Sequence, residues 1–79
     1  MAASFTAKQG QYLAFIHLYT KLNRRPPSEA DMQRFFAVTP PSVDRMVVEL
    51  ERLKLIRRQP GVPRSIKLLV PLTLVPALE

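Results

Sequence analysis

Residues 39–58 have the sequence TPPSVDRMVVELERLKLIRR, and this stretch decides the fold. Thr39 stands before two prolines, which is a helix-start pattern, because a Thr hydroxyl caps free backbone N–H groups and Pro fits the first helical position. The apolar side chains that follow recur every three or four residues: Val43, Met46, Val47, Leu50 and Leu53. This spacing predicts a helix with one buried face.

The residue composition of the other face of this helix differs from that of a solvent-exposed helix face. It carries Pro41, Arg45, Val48 and Arg52, with Ser42, Asp44 and Glu49 on its flanks. A solvated helix face is usually dominated by charged and polar side chains. We therefore predict that this face contacts a partner, and we expect free N–H groups at the helix start to hold a phosphate.

The chain before this stretch predicts two more helices. Thr6 and Gln9 fit a capping box, in which each side chain bonds the backbone N–H of the other residue. Helical spacing of apolar residues continues from Tyr12 to Leu22. We expect Asn23 to be the left-handed residue that ends this first helix, because two prolines follow shortly after it.

A short second helix is predicted to begin after Ser28 and to end near Phe36. Ser28 and Asp31 have the spacing of a second capping box. The side chains that we expect to face inward are Ala30, Met32, Phe35 and Phe36.

After Lys54 the pattern changes to that of a hairpin. Residues 55–58 and 64–70 are strand candidates on either side of a turn rich in Pro and Gly. In the second candidate the side chains that alternate onto one face are Ile66, Leu68 and Val70.

Helix, helix, short turn, helix and hairpin is the order of a winged helix-turn-helix. We therefore predict an α+β fold in which three helices precede a two-stranded β-hairpin wing, over residues 5–70. Residues 71–79 are predicted to form an apolar, proline-containing tail.

Composition excludes several classes of protein. The 79 residues contain no Cys, one His and two Gly, so they offer no disulfide scaffold, Cys-type zinc site, catalytic thiol or glycine-rich phosphate loop. We predict that the protein is not an enzyme and needs no metal or cofactor. The chain shows no secretory signal and no membrane span, so we expect a cytoplasmic protein without a membrane partner.

The positive charge is unevenly distributed along the chain. The formal net charge is +6, yet residues 1–51 carry only +1, whereas residues 52–78 contain six bases and no acid. Such a cluster suggests a polyanionic partner. Since the major groove of B-DNA admits one α-helix and a hairpin beside it can follow the backbone, the partner predicted is double-stranded DNA.

Four segments resemble the DNA-binding domain of LexA repressors: TAKQ at 6–9, RPPSEADM at 25–32, LERLKLIRR at 50–58 and PGVPRSIKL at 60–68. The resemblance covers about residues 5–70, and the last segment is shared more widely with MarR-like winged helices. It implies a winged helix that binds DNA as a transcriptional regulator, expected to be a repressor.

The family's base-reading positions fall on Thr39, Pro41, Ser42, Asp44 and Arg45. The residues predicted to contact the DNA backbone, directly or through the wing, are Ser28, Arg52, Arg57, Arg58, Arg64 and Lys67. Among these, we favour Arg64 as the wing contact.

Three positions depart from the LexA pattern. Pro41 replaces a hydrogen-bonding residue, and Arg45 replaces an acid, so the operator should differ from the one that LexA recognises. Lys54 replaces the usual glycine at the helix stop, where a left-handed residue with a side chain costs about 1 kcal/mol.

LexA proteins continue into a self-cleaving Ser/Lys peptidase domain that also dimerises, and these residues contain no counterpart. We hypothesise a homodimer contact formed by Leu18, Tyr19, Leu69, Leu72, Leu74 and Val75. An extended, frayed tail is the equally open alternative. A second hypothesis for function is a winged-helix protein-interaction module in a larger assembly, which would bind its partner with little dependence on salt.

Overall fold

The structure, a computed structural model, describes residues 4–79. Its elements are α1 (Ala7–Asn23), α2 (Glu29–Phe36), α3 (Pro40–Arg52), β1 (Ile56–Arg57), β2 (Lys67–Leu68) and a short 3-10 turn, η1 (Leu72–Leu74). The two strands are antiparallel. The predicted α+β winged-helix arrangement is therefore confirmed.

The predicted capping interactions are present at the helix starts. Before α1, the Gln9 backbone N–H donates to Thr6 Oγ1 over 3.1 Å, and the Thr6 N–H donates to Gln9 Oε1 over 2.9 Å. Ser28 and Asp31 form the same reciprocal pair before α2, at 3.1 and 2.9 Å. At α3, Thr39 Oγ1 accepts from the Ser42 N–H over 3.4 Å. These bonds satisfy backbone donors that would otherwise be free.

The end of α1 differs from the prediction. The left-handed residue is Arg24, with φ 59°, and not Asn23, which remains helical and donates its side-chain amide to the Tyr19 carbonyl oxygen. After α3, Lys54 has φ 61°, so the left-handed turn expected there forms without glycine.

The core lies where the three helices meet the inner face of the hairpin. Of the predicted α3 stripe, Val43, Val47 and Leu50 are fully buried, whereas Met46 and Leu53 are partly buried against the core. The helix α2 packs on α3, whereas β1 packs on α3 and β2 on α1. These contacts orient α3 with its opposite face outward.

The inward face of α2 is partly different from the one predicted. Met32 is fully buried and Phe36 packs against the core, but Ala30 is exposed and Phe35 is 47% exposed. Asp31 takes an inward position instead, with 8% exposure. The exposed Phe35 ring stacks on Phe15 with a centroid distance of 4.6 Å.

The hairpin pairs over fewer residues than predicted, although its alternation is confirmed. Ile56 pairs with Leu68 and Arg57 with Lys67. The strands are short because the turn satisfies its own backbone: Ser65 Oγ accepts from the Gln59 N–H over 2.9 Å and contacts the Val62 carbonyl oxygen at 2.8 Å.

The end of the tail (residues 71–79) contacts α1. The Gln11 side chain donates to the Ala77 carbonyl oxygen over 2.9 Å and accepts from the Glu79 N–H over 2.8 Å. Val75 and Leu78 pack against the core. The tail is therefore held by its own chain, an arrangement that neither hypothesis from the sequence included.

Candidate nucleic-acid interface

The predicted base-reading residues share the outward side of α3. Pro41, Asp44 and Arg45 are exposed, Ser42 is half-buried, and the exposed side continues to Val48. Because three side chains on the opposite side of α3 are fully buried, the core fixes the orientation of these outward side chains. The structure therefore presents one side of a helix that is long enough for a DNA major groove.

The start of α3 does not offer the free N–H groups that we expected for a phosphate. Pro40 and Pro41 have no N–H to donate. The next two donors are engaged, since Ser42 bonds the Thr39 hydroxyl and Val43 bonds the Thr39 carbonyl oxygen. The expectation of free N–H groups at this helix start is wrong, and the two prolines were the signal in the sequence.

Arg45 and Arg52 lie on the same outward side but differ in their partners. Arg45 has no hydrogen-bond or ion-pair partner among residues 4–79. Arg52 donates to both carboxylate oxygens of Glu49, over 2.9 and 2.6 Å. That hydrogen bond holds the Glu49 pKa below its ordinary value. Arg45 is thus available to an incoming acceptor, whereas Arg52 already has one.

Arg58 is bound between two helices. Its guanidinium lies 3.1 Å from a carboxylate oxygen of Glu29 at the start of α2 and 3.3 Å from one of Glu51 near the end of α3. Its backbone N–H also donates to Glu51, over 3.1 Å. These contacts assign Arg58 to holding the hairpin, although its position in the sequence suggested DNA contact.

Arg64, the residue favoured as the wing contact, points inward. Its Nη1 donates to Asp31 Oδ2 over 2.9 Å, to the Tyr19 hydroxyl over 3.1 Å and to the Pro26 carbonyl oxygen over 3.2 Å. Its backbone is left-handed, with φ 54°. The guanidinium is therefore occupied by internal acceptors, in a geometry that the alternating pattern of the sequence did not indicate.

Asp31 is the centre of this internal network. The Ser28 backbone N–H donates to its carboxylate, and Arg34 and Arg64 both contact it. The hydrogen bond from Ser28, against the opposing effect of burial, lowers the Asp31 pKa to about 2, with help from the Ser28 and Tyr19 hydroxyls and the charge of Arg64. The sequence pattern indicated for Asp31 only a role at the start of α2.

Of the remaining residues predicted to contact the DNA backbone, one already has a hydrogen-bond partner in the protein and two have no carboxylate partner. Ser28 is engaged in its capping box. Arg57 and Lys67 are exposed, face each other across the hairpin register, and have no carboxylate partner among the described residues. They are the two cations of the hairpin that an external anion can reach.

Two other kinds of feature are absent from the described part of the chain. Across residues 4–79, no group of three or more His, Cys, Asp or Glu side chains is placed to hold a metal ion. In the same residues, no helix is both long and apolar enough to cross a membrane.

The chain is similar to LexA repressors. It is 37% identical over 62 residues to a LexA repressor of Thermotoga neapolitana, a match that covers 78% of this chain and 32% of the relative. A second LexA repressor, from Thermotoga neapolitana strain ATCC 49049, is also 37% identical over 62 residues, which are 30% of its length. The chain thus spans about a third of the length of these relatives. No protein-family model matches the chain.

Proposed function

Starting from the homology between this chain and LexA repressors, we propose that the protein binds double-stranded DNA sequence-specifically and regulates transcription as a repressor by occupying an operator. The observation that carries this proposal is the outward side of α3, where exposed Arg45 has no partner within residues 4–79 while three side chains on the opposite side are fully buried. We place this activity in the cytoplasm.

The chemistry of α3 suggests distinct roles for its exposed residues. Arg45 can donate two hydrogen bonds to O6 and N7 of a guanine, and Asp44 can accept one from N4 of a cytosine. Ser42 can hydrogen-bond either kind of base edge, whereas Pro41 offers only apolar contact, as to a thymine methyl group. Thr39 has its hydroxyl in the helix cap, so it is the weakest candidate of the five.

For the DNA backbone we propose Arg57 and Lys67 as the principal contacts of the hairpin. Both are exposed and without a carboxylate partner in the described chain, in contrast to Arg58 and Arg64. Contacts to phosphate position a protein on the duplex and carry no direct sequence information. The hairpin would therefore set affinity and α3 would set base preference.

Selection of binding sites from a random duplex pool at moderate salt tests the proposal. We expect enrichment of one short motif that contains a guanine where Arg45 docks. A pool that stays random while the protein still binds duplex would refute sequence-specific recognition. Absence of any duplex binding at low salt would refute DNA binding itself.

Two of the six residues in the homodimer hypothesis have contacts within their own chain. The Tyr19 hydroxyl is bound to Arg64, and Val75 packs on the core of its own chain. The remaining candidates are Leu18, Leu69, Leu72 and Leu74, of which the last three are 48%, 58% and 40% exposed. We propose that two copies occupy two half-sites, and sedimentation with and without operator duplex would show this as a doubling of bound mass.

The hypothesis of a protein-interaction module remains a second candidate, because one observation favours it. A groove with positive charge and exposed leucines lies between α1 and the hairpin. A protein partner there would leave the base-reading side of α3 free, because α3 does not line the groove, but Arg57 and Lys67 belong to both proposed surfaces.

A further inference from the structure

A groove of about 760 Å³ lies between the end of α1 and the hairpin. We call it the α1–hairpin groove. Its cations are Lys21, Arg24, Arg25, Arg57 and Lys67, and none of the residues from 4–79 that line it is acidic. The volume lies within the range of about 300–1,000 Å³ that is typical of ligand sites.

The charge of this groove is not neutralised by the protein. All five cations are exposed, and the four carboxylates that form ion pairs within residues 4–79 pair with other arginines. Asp31 binds Arg34 and Arg64, and Glu29 and Glu51 bind Arg58. Cations that line one cleft without counter-charges attract an acidic ligand.

The floor of the groove is apolar. Ile16 and Ile66 are buried beneath it, while Leu69 is 48% and Leu72 is 58% exposed at its surface. Large apolar side chains that remain exposed beside cations favour a ligand that brings apolar groups as well as negative charge.

The groove is separate from the predicted base-reading face. The strand β1 packs on α3 and β2 packs on α1, so the hairpin stands between α3 and the groove. No residue of α3 lines the groove in the described structure. A ligand could therefore occupy it without taking the place of a DNA base.

We propose that the α1–hairpin groove binds an acidic peptide segment of a partner protein. Its carboxylates would meet the groove cations of α1 and of the loop that follows it, which the proposed DNA contacts do not use. Its apolar side chains would pack on Leu69 and Leu72, as an amphipathic segment does in a groove. If a DNA backbone occupied the groove, its charged phosphates would lie against these apolar leucines. A second copy of the chain, related by two-fold symmetry, would bring the same cations against one another. Leu69 and Leu72 are thereby assigned to this partner, which leaves Leu18 and Leu74 to the dimer.

The probe is a fluorescent synthetic peptide of about 15 residues that alternates Glu with Leu at helical spacing. Two control peptides replace either every Glu with Gln or every Leu with Ser. Fluorescence anisotropy with the full chain should show that the first peptide binds about tenfold or more tightly than either control. Equal affinity for all three peptides, or no binding of the first, would overturn the proposal.

Two variants locate the site, and one matched variant controls for charge. Lys21→Glu and Leu72→Ser should each weaken binding of the acidic peptide by about fivefold or more. Lys8→Glu makes the same charge change on the same helix, about 20 Å from Lys21 at 1.5 Å per residue, and is not among the groove residues. It should change binding by less than about twofold at physiological salt.

Two further outcomes would assign the groove to another occupant. If Lys21→Glu and Leu72→Ser weaken duplex DNA binding beyond the effect of Lys8→Glu and leave peptide binding unchanged, the groove is a DNA surface. If Leu72→Ser instead abolishes self-association measured by sedimentation, it is a contact between copies. The peptide experiment needs no DNA, so its result is distinguishable from a failure of the proposed DNA binding.

Discussion

The guanidinium of Arg64 donates to the carboxylate of Asp31 over 2.9 Å and so joins the hairpin to the first turn of α2. The two residues are 33 positions apart in the chain. Tyr19 of α1 accepts from the same guanidinium nitrogen, so one contact region links the hairpin to two helices. The residue favoured from the sequence as a DNA contact thus holds the wing in place.

Replacing Asp31 with Asn should destabilise the fold by on the order of 2 kcal/mol, because the buried carboxylate serves both as a helix cap and as the partner of Arg64. Urea unfolding followed by circular dichroism would measure this. Glu49→Gln, which breaks the exposed pair with Arg52, is the matched control and should shift the midpoint far less. Equal shifts would contradict a structural role for the Asp31 network.

The Asp31 carboxyl should also give the fold a specific acid sensitivity. The Ser28 N–H lowers its pKa from 3.8 to about 2 in the folded chain, with support from the Arg64 charge. Since folding favours the deprotonated form, this stabilisation is complete above about pH 4 and is lost as the pH falls through about 2. The stability difference between wild type and Asp31→Asn should therefore shrink over that interval. A difference that is constant from pH 7 to pH 2 would contradict the prediction.

The salt dependence of duplex binding should distinguish Arg57 from Arg64. Arg57→Ala should reduce the slope of log K against log salt by about 1, because one phosphate contact is lost. Arg64→Ala should weaken binding by loosening the hairpin while it leaves the slope nearly unchanged. Anisotropy titrations with one duplex at several salt concentrations would measure both slopes. The reverse pattern would show that Arg64 contacts a phosphate and that its internal bonds are released on DNA.

Arg45→Ala should relax base preference at one or two positions of the operator. A bidentate arginine–guanine contact contributes about 1–3 kcal/mol of discrimination, and Arg45 is exposed on the outward side of α3. Site selection with the variant, compared with wild type, would show this directly. Lys8→Ala removes a cation from α1 and should leave the selected motif intact. An unchanged motif for Arg45→Ala would mean that another face reads the bases.

Gly10 should be required for docking of the tail. A Cβ added to Gly10 would lie 2.9 Å from Pro76 Cγ and 3.1 Å from a ring carbon of Phe5. In wild type, Gly10→Ala should therefore disturb the tail, although Ala favours a helix over Gly by about 1 kcal/mol. In a Pro76→Ala background the nearest obstacle is absent. The change in the free energy of unfolding caused by Gly10→Ala should therefore be more favourable there than in wild type, by about 0.5–1 kcal/mol. Equal effects in both backgrounds, measured by urea unfolding, would contradict this contact.

The local features of the fold could be predicted because their partners lie close in the sequence. The capping boxes at Thr6 and Ser28 join residues three positions apart, and the stripe of α3 repeats every three or four. This spacing along the sequence determines which side of a helix faces the core, and hence that Arg45 faces outward. The missing N–H donors at the start of α3 could also be predicted, because two adjacent prolines carry none.

The partners of Arg58 and Arg64 were decided only by the tertiary structure, whereas Arg52 pairs with Glu49 three residues away on the same helix. The sequence places six bases and no acid between residues 52 and 78, yet Arg52, Arg58 and Arg64 pair with acids from before that region. The pairings of Arg58 with Glu29 and of Arg64 with Asp31 span 29 and 33 residues, so no local pattern encodes them. The sequence by itself determined the helices, the hairpin and the excess of positive charge. Packing decided the partners of Arg58 and Arg64, because charge-assisted hydrogen bonds need close contact and only the fold brings Glu29 and Asp31 within reach of these guanidinium groups.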